Sequence, residues 1–232
     1  MIVSHKHRYI FLKTRKTAGT SIEIALSRYC GPDDIITTLS RPEERERAAC
    51  GGVGPQNLAY RLRPLRKYSL HHIVRILKGR ERLRVPSYYN HIPAAKVRTL
   101  VGDQIWNSYY KFTFVRNPWD RLASRYHWER SRQGRDIDMD EILGSKNPDE
   151  NLQIYTIDGE IAVDRVCRYE ALTDELTDVC RHLGIPFDGQ LPQAKSGHRP
   201  KKQHYRELFT PEQAQIVRQK CAHEIEWFGY EY

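Results

Sequence analysis

The sequence has no long hydrophobic run and shows no pattern of covalent or metal cross-links. Its first apolar run, residues 9–12, ends at Lys13 and is too short for a signal peptide or a membrane span. The five cysteines are an odd number, are widely spaced and form no C-x-x-C pair, so they indicate neither a disulfide framework nor a zinc site. These absences predict a reducing, cytoplasmic location, no transmembrane segment and no bound metal.

The sequence also lacks the phosphate-binding loop of nucleotide triphosphatases. That loop needs the order G-x-x-x-x-G-K-[ST], in which the lysine follows the last glycine. Here the order is inverted, because Lys16 precedes Gly19. A phosphate site at this position is therefore of another kind.

Length and charge limit what the chain can be. Its 232 residues suit a single domain, 1–232, of the α/β class and are ample for a sizeable core. The chain has 38 Lys and Arg residues against 29 Asp and Glu residues, and the resulting formal charge of +9 favours a polyanionic or phosphorylated partner. A nucleotide, an acidic glycan, a nucleic acid and an anionic membrane all fit this charge.

A strand, a basic turn and a helix are predicted at the start of the chain. Residues 9–12 are rich in β-formers, and 22–29 carry apolar residues at helical spacing. Thr20 and Glu23 have the spacing of a capping box, which predicts a helix start at this point. The turn then aims backbone N–H groups, the positive end of the helix and the Lys16 ammonium at one place, where a phosphate-like anion fits.

A second strand, turn and helix follow about one hundred residues later. Residues 112–115 are typical of a buried strand, Asn117 of an N-cap and Pro118 of a first helical residue. Arg116 then stands at the carboxyl end of the strand, where open α/β sheets bind ligands, and Ser124 lies about two helical turns later. A guanidinium and a hydroxyl placed in this way can grip a terminal phosphate. The alternative is that Arg116 pairs with a neighbouring carboxylate.

Between these units lies a segment of different texture, residues 40–88, which we interpret as a mostly helical insertion. Its nine basic residues between positions 61 and 84 predict either a solvated helical face or a wall that guides an anionic acceptor. It has few aromatic residues and no zinc-finger or RNA-platform motif, which argues against nucleic acid. His91 follows in a turn before a helix, where an imidazole can take a proton from an acceptor hydroxyl.

Taken together, these motifs resemble the cofactor site of sulfotransferases that use 3′-phosphoadenosine 5′-phosphosulfate (PAPS). Lys-Thr-Ala-Gly-Thr-Ser at 16–21 resembles their 5′-phosphosulfate loop, and Arg116 with Ser124 resembles their 3′-phosphate site. Asn-His-Ile-Pro at 90–93 resembles the catalytic histidine segment of the carbohydrate branch, family 2. Two later stretches also resemble that branch, 168–172 and 225–230. The likeness thus covers most of the chain.

The resemblance implies a P-loop-like sulfotransferase fold, with a central parallel sheet flanked by helices. It also implies that PAPS is the sulfuryl donor, that adenosine 3′,5′-bisphosphate is the product, and that the acceptor is a carbohydrate or another hydroxyl-bearing molecule, anionic ones included. Nucleic acid is not expected as a partner. The catalytic residues that it implies are His91 and Lys16. The donor-binding residues that it implies are Arg15, Lys16, Thr17, Ala18, Gly19, Thr20, Ser21, Arg116, Ser124, Ser196, Arg199 and Lys201.

The sequence leaves the general base and the acceptor open. Related carbohydrate enzymes carry a second histidine two positions before the catalytic one, where this chain has Tyr89. Other branches use a glutamate as the base, for which Glu23 is the candidate. Residues that select the acceptor are expected in the insertion and in loops around 128–135. The alternative functions are an ATP-dependent phosphoryl-transfer enzyme and a non-catalytic protein that binds polyanions or nucleic acid.

Overall fold

The computed structural model describes residues 1–62, 69, 74, 78, 84–145, 150–192 and 204–232. Its strands are β1 (Ile2–Ser4), β2 (Tyr9–Leu12), β3 (Ile35–Ile36), β4 (Tyr60–Leu62), β5 (Arg84–Pro86), β6 (Tyr110–Val115), β7 (Thr156–Ile157), β8 (Glu160–Ile161) and β9 (Arg165–Arg168). Its helices are α1 (Gly19–Ser27), α2 (Arg41–Ala49), α3 (Ala94–Val101), α4 (Asp103–Ser108), α5 (Pro118–Gln133), α6 (Met139–Ser145), α7 (Leu152–Tyr155), α8 (Leu172–His182), α9 (Pro211–Lys220) and α10 (Ala222–Phe228). None of the helices in these ranges is both long and apolar enough to cross a bilayer.

A five-stranded sheet with the order β3-β1-β2-β6-β9 forms the centre of the fold. Strands β2, β6 and β9 pair in parallel, with Leu12 opposite Thr113 and Val115 opposite Arg168. Strand β1 pairs antiparallel with both β2 and β3. The predicted α/β class with a central sheet flanked by helices is confirmed, but the sheet is mostly parallel and not wholly so. The antiparallel β1 was not predicted, because a strand of three residues has too short a pattern to be recognised.

Helices cover both faces of this sheet, because apolar side chains alternate between the faces along each strand. On one face, Phe11 packs in a cluster with Ile22 of α1 and Val179 of α8. On the other face, Ile10 packs in a cluster with Val97 of α3. A third buried cluster joins α5 to the C-terminal helices α9 and α10. The edge of the sheet at the carboxyl ends of its parallel strands lies between these layers.

The described part of the predicted insertion, 40–88, is not only helical. It contains helix α2 and also an antiparallel ribbon in which β4 pairs with β5. Most of the stretch 63–83, on which the prediction of a basic helical face rests, lies outside the described residues.

Candidate active site

Three neighbouring parallel strands end at one edge of the sheet, and the segments that follow them enclose a cavity of about 610 Å³. The loop after β2 contributes Lys16, the turn after β6 contributes Arg116, and the turn after β9 contributes Tyr169. This edge is where open α/β sheets bind ligands, and the volume is typical of a small-molecule site.

Most of the predicted site residues line this cavity. Those that do are Arg15, Lys16, Ala18, Gly19, Thr20, Ser21, His91, Arg116 and Ser124. The Thr17 side chain is instead buried in the base of the loop, where its hydroxyl lies 2.8 Å from that of Thr14. The Thr14 hydroxyl in turn donates to the Phe114 carbonyl of β6. The remaining predicted residues, Ser196, Arg199 and Lys201, lie outside the described residues.

Helix α1 begins differently from the prediction. Its N-cap is Ala18, and no side chain caps the helix. The predicted capping box between Thr20 and Glu23 is wrong, because the Glu23 carboxylate is buried in ion pairs with Lys13 and Arg47. The uncapped first turn, which lines the cavity, leaves its backbone N–H groups for an anion.

The loop before α1 adopts a backbone conformation that is unfavourable for its residues. Lys16 and Ala18 have φ angles of 62° and 55°. This left-handed conformation costs a residue other than glycine about 1–2 kcal/mol. The side chain of Asn151 holds the loop by two hydrogen bonds to the Arg15 backbone, from N–H to Oδ1 at 2.9 Å and from Nδ2 to the carbonyl at 3.1 Å.

Arg116 is buried, and three groups hold its guanidinium. Nε donates to Asp120 Oδ2 at 2.7 Å, and Nη1 donates to the Lys16 carbonyl at 3.1 Å. The guanidinium carbon also lies 4.0 Å from the centre of the Tyr169 ring. The carboxylate pairing considered as an alternative is therefore present, yet the same side chain lines the cavity. Asp120 and Tyr169 together fix the plane of the guanidinium, which favours bidentate contact with a phosphate.

His91 lies beside the start of the loop, with Nδ1 2.9 Å from the Lys13 carbonyl. Because a carbonyl can only accept a hydrogen bond, Nδ1 carries the proton and Nε2 keeps the lone pair that a general base needs. Burial, followed by the Arg15 charge, lowers the pKa of His91 from 6.5 to about 3. The imidazole is therefore neutral at physiological pH.

Glu23, the glutamate considered as an alternative base, is fully buried and does not line the cavity. Burial by itself raises its pKa, but the amino group of Met1, Lys13 and Arg47 outweigh this effect and lower the pKa from 4.5 to about 2. Its oxygen Oε2 lies 2.7 Å from Lys13 Nζ. The geometry thus favours His91 over Glu23 as the base.

Two residues that shape the site were not among the predicted site residues, although one of them, Trp128, lies in the stretch 128–135 that was expected to contact the acceptor. Trp128 lines the cavity, and its ring centre lies 5.2 Å from Lys16 Nζ. The expected loop around 128–135 is wrong, since α5 continues to residue 133. Trp128 follows Ser124 by one helical turn, so the spacing carried a signal that it shares a helix face. Asn151 carried none, because it is 136 residues from its partner Arg15.

Comparison with known proteins gives one family match. A family model described as "Sulfotransferase family" matches residues 1–156 of the 232 residues. A protein of Archaeoglobus fulgidus, described as uncharacterized, is 29% identical over 101 residues, which cover 41% of this chain and 84% of that protein. No solved structure matches the chain significantly. The range matched by the family model contains the two strand-turn-helix units that line the cavity, namely β2 with α1 and β6 with α5.

Proposed function

Because the chain belongs to the sulfotransferase family, we propose that it transfers a sulfuryl group from PAPS to a hydroxyl of a carbohydrate or glycoconjugate. The observation that carries this proposal is that Lys16, His91 and Arg116 line one cavity. The hydrogen bond between Arg116 and the Lys16 carbonyl supports the proposal that a single nucleotide contacts both residues.

The groups in the cavity fit a doubly phosphorylated nucleoside. Lys16 and the first-turn N–H groups of α1 suit the 5′-phosphate end. Arg116 and Ser124 suit the 3′-phosphate, the group that distinguishes PAPS from ATP. The Tyr169 ring and Leu172, which also line the cavity, offer apolar surface for the adenine base.

The chain's residues have distinct roles in the proposed reaction. Bound PAPS supplies an activated sulfuryl group, whose bond to the phosphate oxygen breaks as the acceptor oxygen bonds to sulfur. Lys16 and the loop N–H groups stabilise the charge that develops on the phosphate. His91 Nε2 takes the proton of the acceptor hydroxyl, and the cavity walls hold the reacting groups in place.

The finer parts of the proposal have separate support. The carbohydrate class of the acceptor is supported by the resemblance of segment 90–93 to that branch. A reducing, cytoplasmic location is supported by the wide spacing of the five cysteines, with no C-x-x-C pair among them.

A thermal-shift comparison of ligands tests the donor. We expect adenosine 3′,5′-bisphosphate to raise the melting temperature more than ATP with Mg²⁺ does, because a ligand stabilises the native state that binds it. A larger shift with ATP would instead favour phosphoryl transfer. A rise in melting temperature only with duplex DNA or other polyanions, abolished by salt, would favour the alternative of a non-catalytic protein that binds polyanions or nucleic acid.

Variants test the assigned roles, with turnover followed by radiosulfate transfer from labelled PAPS to host extracts. We expect His91→Ala to lose turnover by about 10²–10⁴-fold while adenosine 3′,5′-bisphosphate still binds. Lys16→Ala should lower turnover by about 10²–10³-fold. Arg116→Ala should mainly weaken nucleotide binding, by roughly 10- to 100-fold. Arg181→Ala, at an exposed position on α8, is the control. Unchanged turnover in His91→Ala would remove this residue from the reaction.

A further inference from the structure

We propose that Asn151 is a positioning residue, which holds the phosphate-binding loop in its nucleotide-binding conformation before the nucleotide arrives. Asn151 precedes α7 and is 1% exposed. The inference rests on the proposed function, since it assigns the loop to a nucleotide phosphate.

The Asn151 carboxamide pairs with the Arg15 backbone as a neighbouring strand would. Its oxygen accepts from the Arg15 N–H at 2.9 Å, and its Nδ2 donates to the Arg15 carbonyl at 3.1 Å. The preceding residue adds a contact, because Glu150 Oε2 lies 3.4 Å from Arg15 Nε. Two consecutive residues thus hold both the backbone and the side chain of Arg15.

These contacts with Arg15 matter because the backbone that follows Arg15 has an unfavourable conformation. Lys16 and Ala18 are both left-handed, although neither is glycine. Conformations of this kind persist only where the surrounding structure enforces them. The Arg15 peptide groups lead directly into this stretch, so fixing them limits how far the loop can relax. Without the hydrogen bonds from Asn151, nucleotide binding would also have to restore the left-handed conformation of the loop, and the affinity for the nucleotide would fall.

The same segment offers a matched control. Tyr155, at the end of α7, is fully buried, and its hydroxyl donates to Glu224 Oε1 at 3.3 Å. Tyr155→Phe therefore removes a buried hydrogen bond in the same segment. The Tyr155 side chain does not line the cavity. The variant measures how far a general loss of stability in α7 affects binding.

Calorimetric titration with adenosine 3′,5′-bisphosphate gives the first test. Asn151→Leu keeps the approximate shape of the side chain and removes both hydrogen bonds. We expect it to raise Kd about 10- to 100-fold and to raise KM for PAPS, with kcat changed less than about threefold. Asn151→Asp should act similarly, since its second carboxylate oxygen faces the Arg15 carbonyl, and it serves if the leucine variant fails to fold. Tyr155→Phe should change Kd less than about twofold.

A second-site change separates positioning from general stability. Ala18→Gly lowers the intrinsic cost of the left-handed conformation. Added to Asn151→Leu, it should recover at least about threefold of the lost affinity. A residue that only stabilises the fold gives no reason for such recovery, and its absence counts against the proposal.

Hydrogen exchange in the absence of nucleotide decides the matter independently of ligand chemistry. Amides of residues 15–21 should exchange faster in Asn151→Leu than in the wild type, and not in Tyr155→Phe. Unchanged loop protection together with unchanged Kd would overturn the inference. If the wild type binds no adenosine 3′,5′-bisphosphate, the proposed function fails, and loop protection alone then decides whether Asn151 positions the loop.

Discussion

At His91, burial and the neighbouring Arg15 keep the imidazole uncharged, and this makes the stability of the fold depend on pH. In the unfolded chain this histidine binds a proton near its ordinary pKa of 6.5, whereas in the folded protein its pKa is about 3. The unfolded state therefore binds more protons between these values. As far as His91 is concerned, the free energy of unfolding has its full value above pH 6.5 and decreases as the pH falls towards 3.

We expect His91→Asn to remove this part of the pH dependence. Between pH 6.5 and 5, the wild type should lose up to about 1.4 kcal/mol of unfolding free energy per pH unit beyond what the variant loses. Urea unfolding at several pH values measures the difference. His223→Asn, at an exposed position on α10, is the matched control. Equal slopes in the wild type and His91→Asn would contradict a partly buried, neutral imidazole.

At the scale of elements, a single buried carboxylate fixes α1 to its surroundings. Glu23 lies 2.7 Å from Lys13 of the loop and 3.2 Å from Arg47 of α2. It also accepts from the Thr37 hydroxyl at 2.8 Å. The loop, the helix behind it and the first helix of the insertion therefore share one ion cluster inside the protein.

Glu23→Gln should destabilise the fold by about 3–5 kcal/mol, because it removes the carboxylate charge that the buried cations Lys13 and Arg47 share, while Arg47 keeps its pair with Glu44. The free energy of urea unfolding is the measurement. Glu212→Gln changes an exposed glutamate in the first turn of α9 and should have little effect. A loss below about 1 kcal/mol in Glu23→Gln would mean that the cluster contributes little to stability.

Elements whose signals are local could be predicted from the sequence, and those set by distant partners could not. Asn117 caps α5 as predicted, since its side chain accepts from the Trp119 N–H at 3.1 Å. The start of α1 was misjudged because Glu23 binds Arg47, a residue 24 positions away, instead of the local backbone. Long-range pairs of this kind have no sequence period, which is also why the role of Asn151 appeared only in three dimensions.

At the scale of the whole molecule, the meeting of Lys16 and Arg116 could be foreseen, because parallel strands deliver their carboxyl ends to one edge. The antiparallel β1 and the left-handed backbone of the loop could not, since both depend on packing around them.

What the complete chain adds is its charge. Five cationic side chains and two carboxylates line the cavity, namely Lys13, Arg15, Lys16, Arg116, Arg125, Glu129 and Glu150.

This surplus of positive charge predicts how the proposed nucleotide ligand associates. With +9 on the chain, the rate constant for association of adenosine 3′,5′-bisphosphate should fall about tenfold between 20 and 300 mM KCl. Dissociation should change much less, because the contacts made in the cavity are screened less than the approach. Stopped-flow mixing measures both. An association rate that does not respond to salt would show that the charge plays no part in capture.

The hydrogen bond from Arg116 to the Lys16 carbonyl has one more consequence. It joins the Lys16 peptide directly to the Arg116 guanidinium, and both residues line the same cavity. A displacement of that peptide therefore also moves the guanidinium. The two parts of the cavity are coupled, so they respond to a bound ligand together.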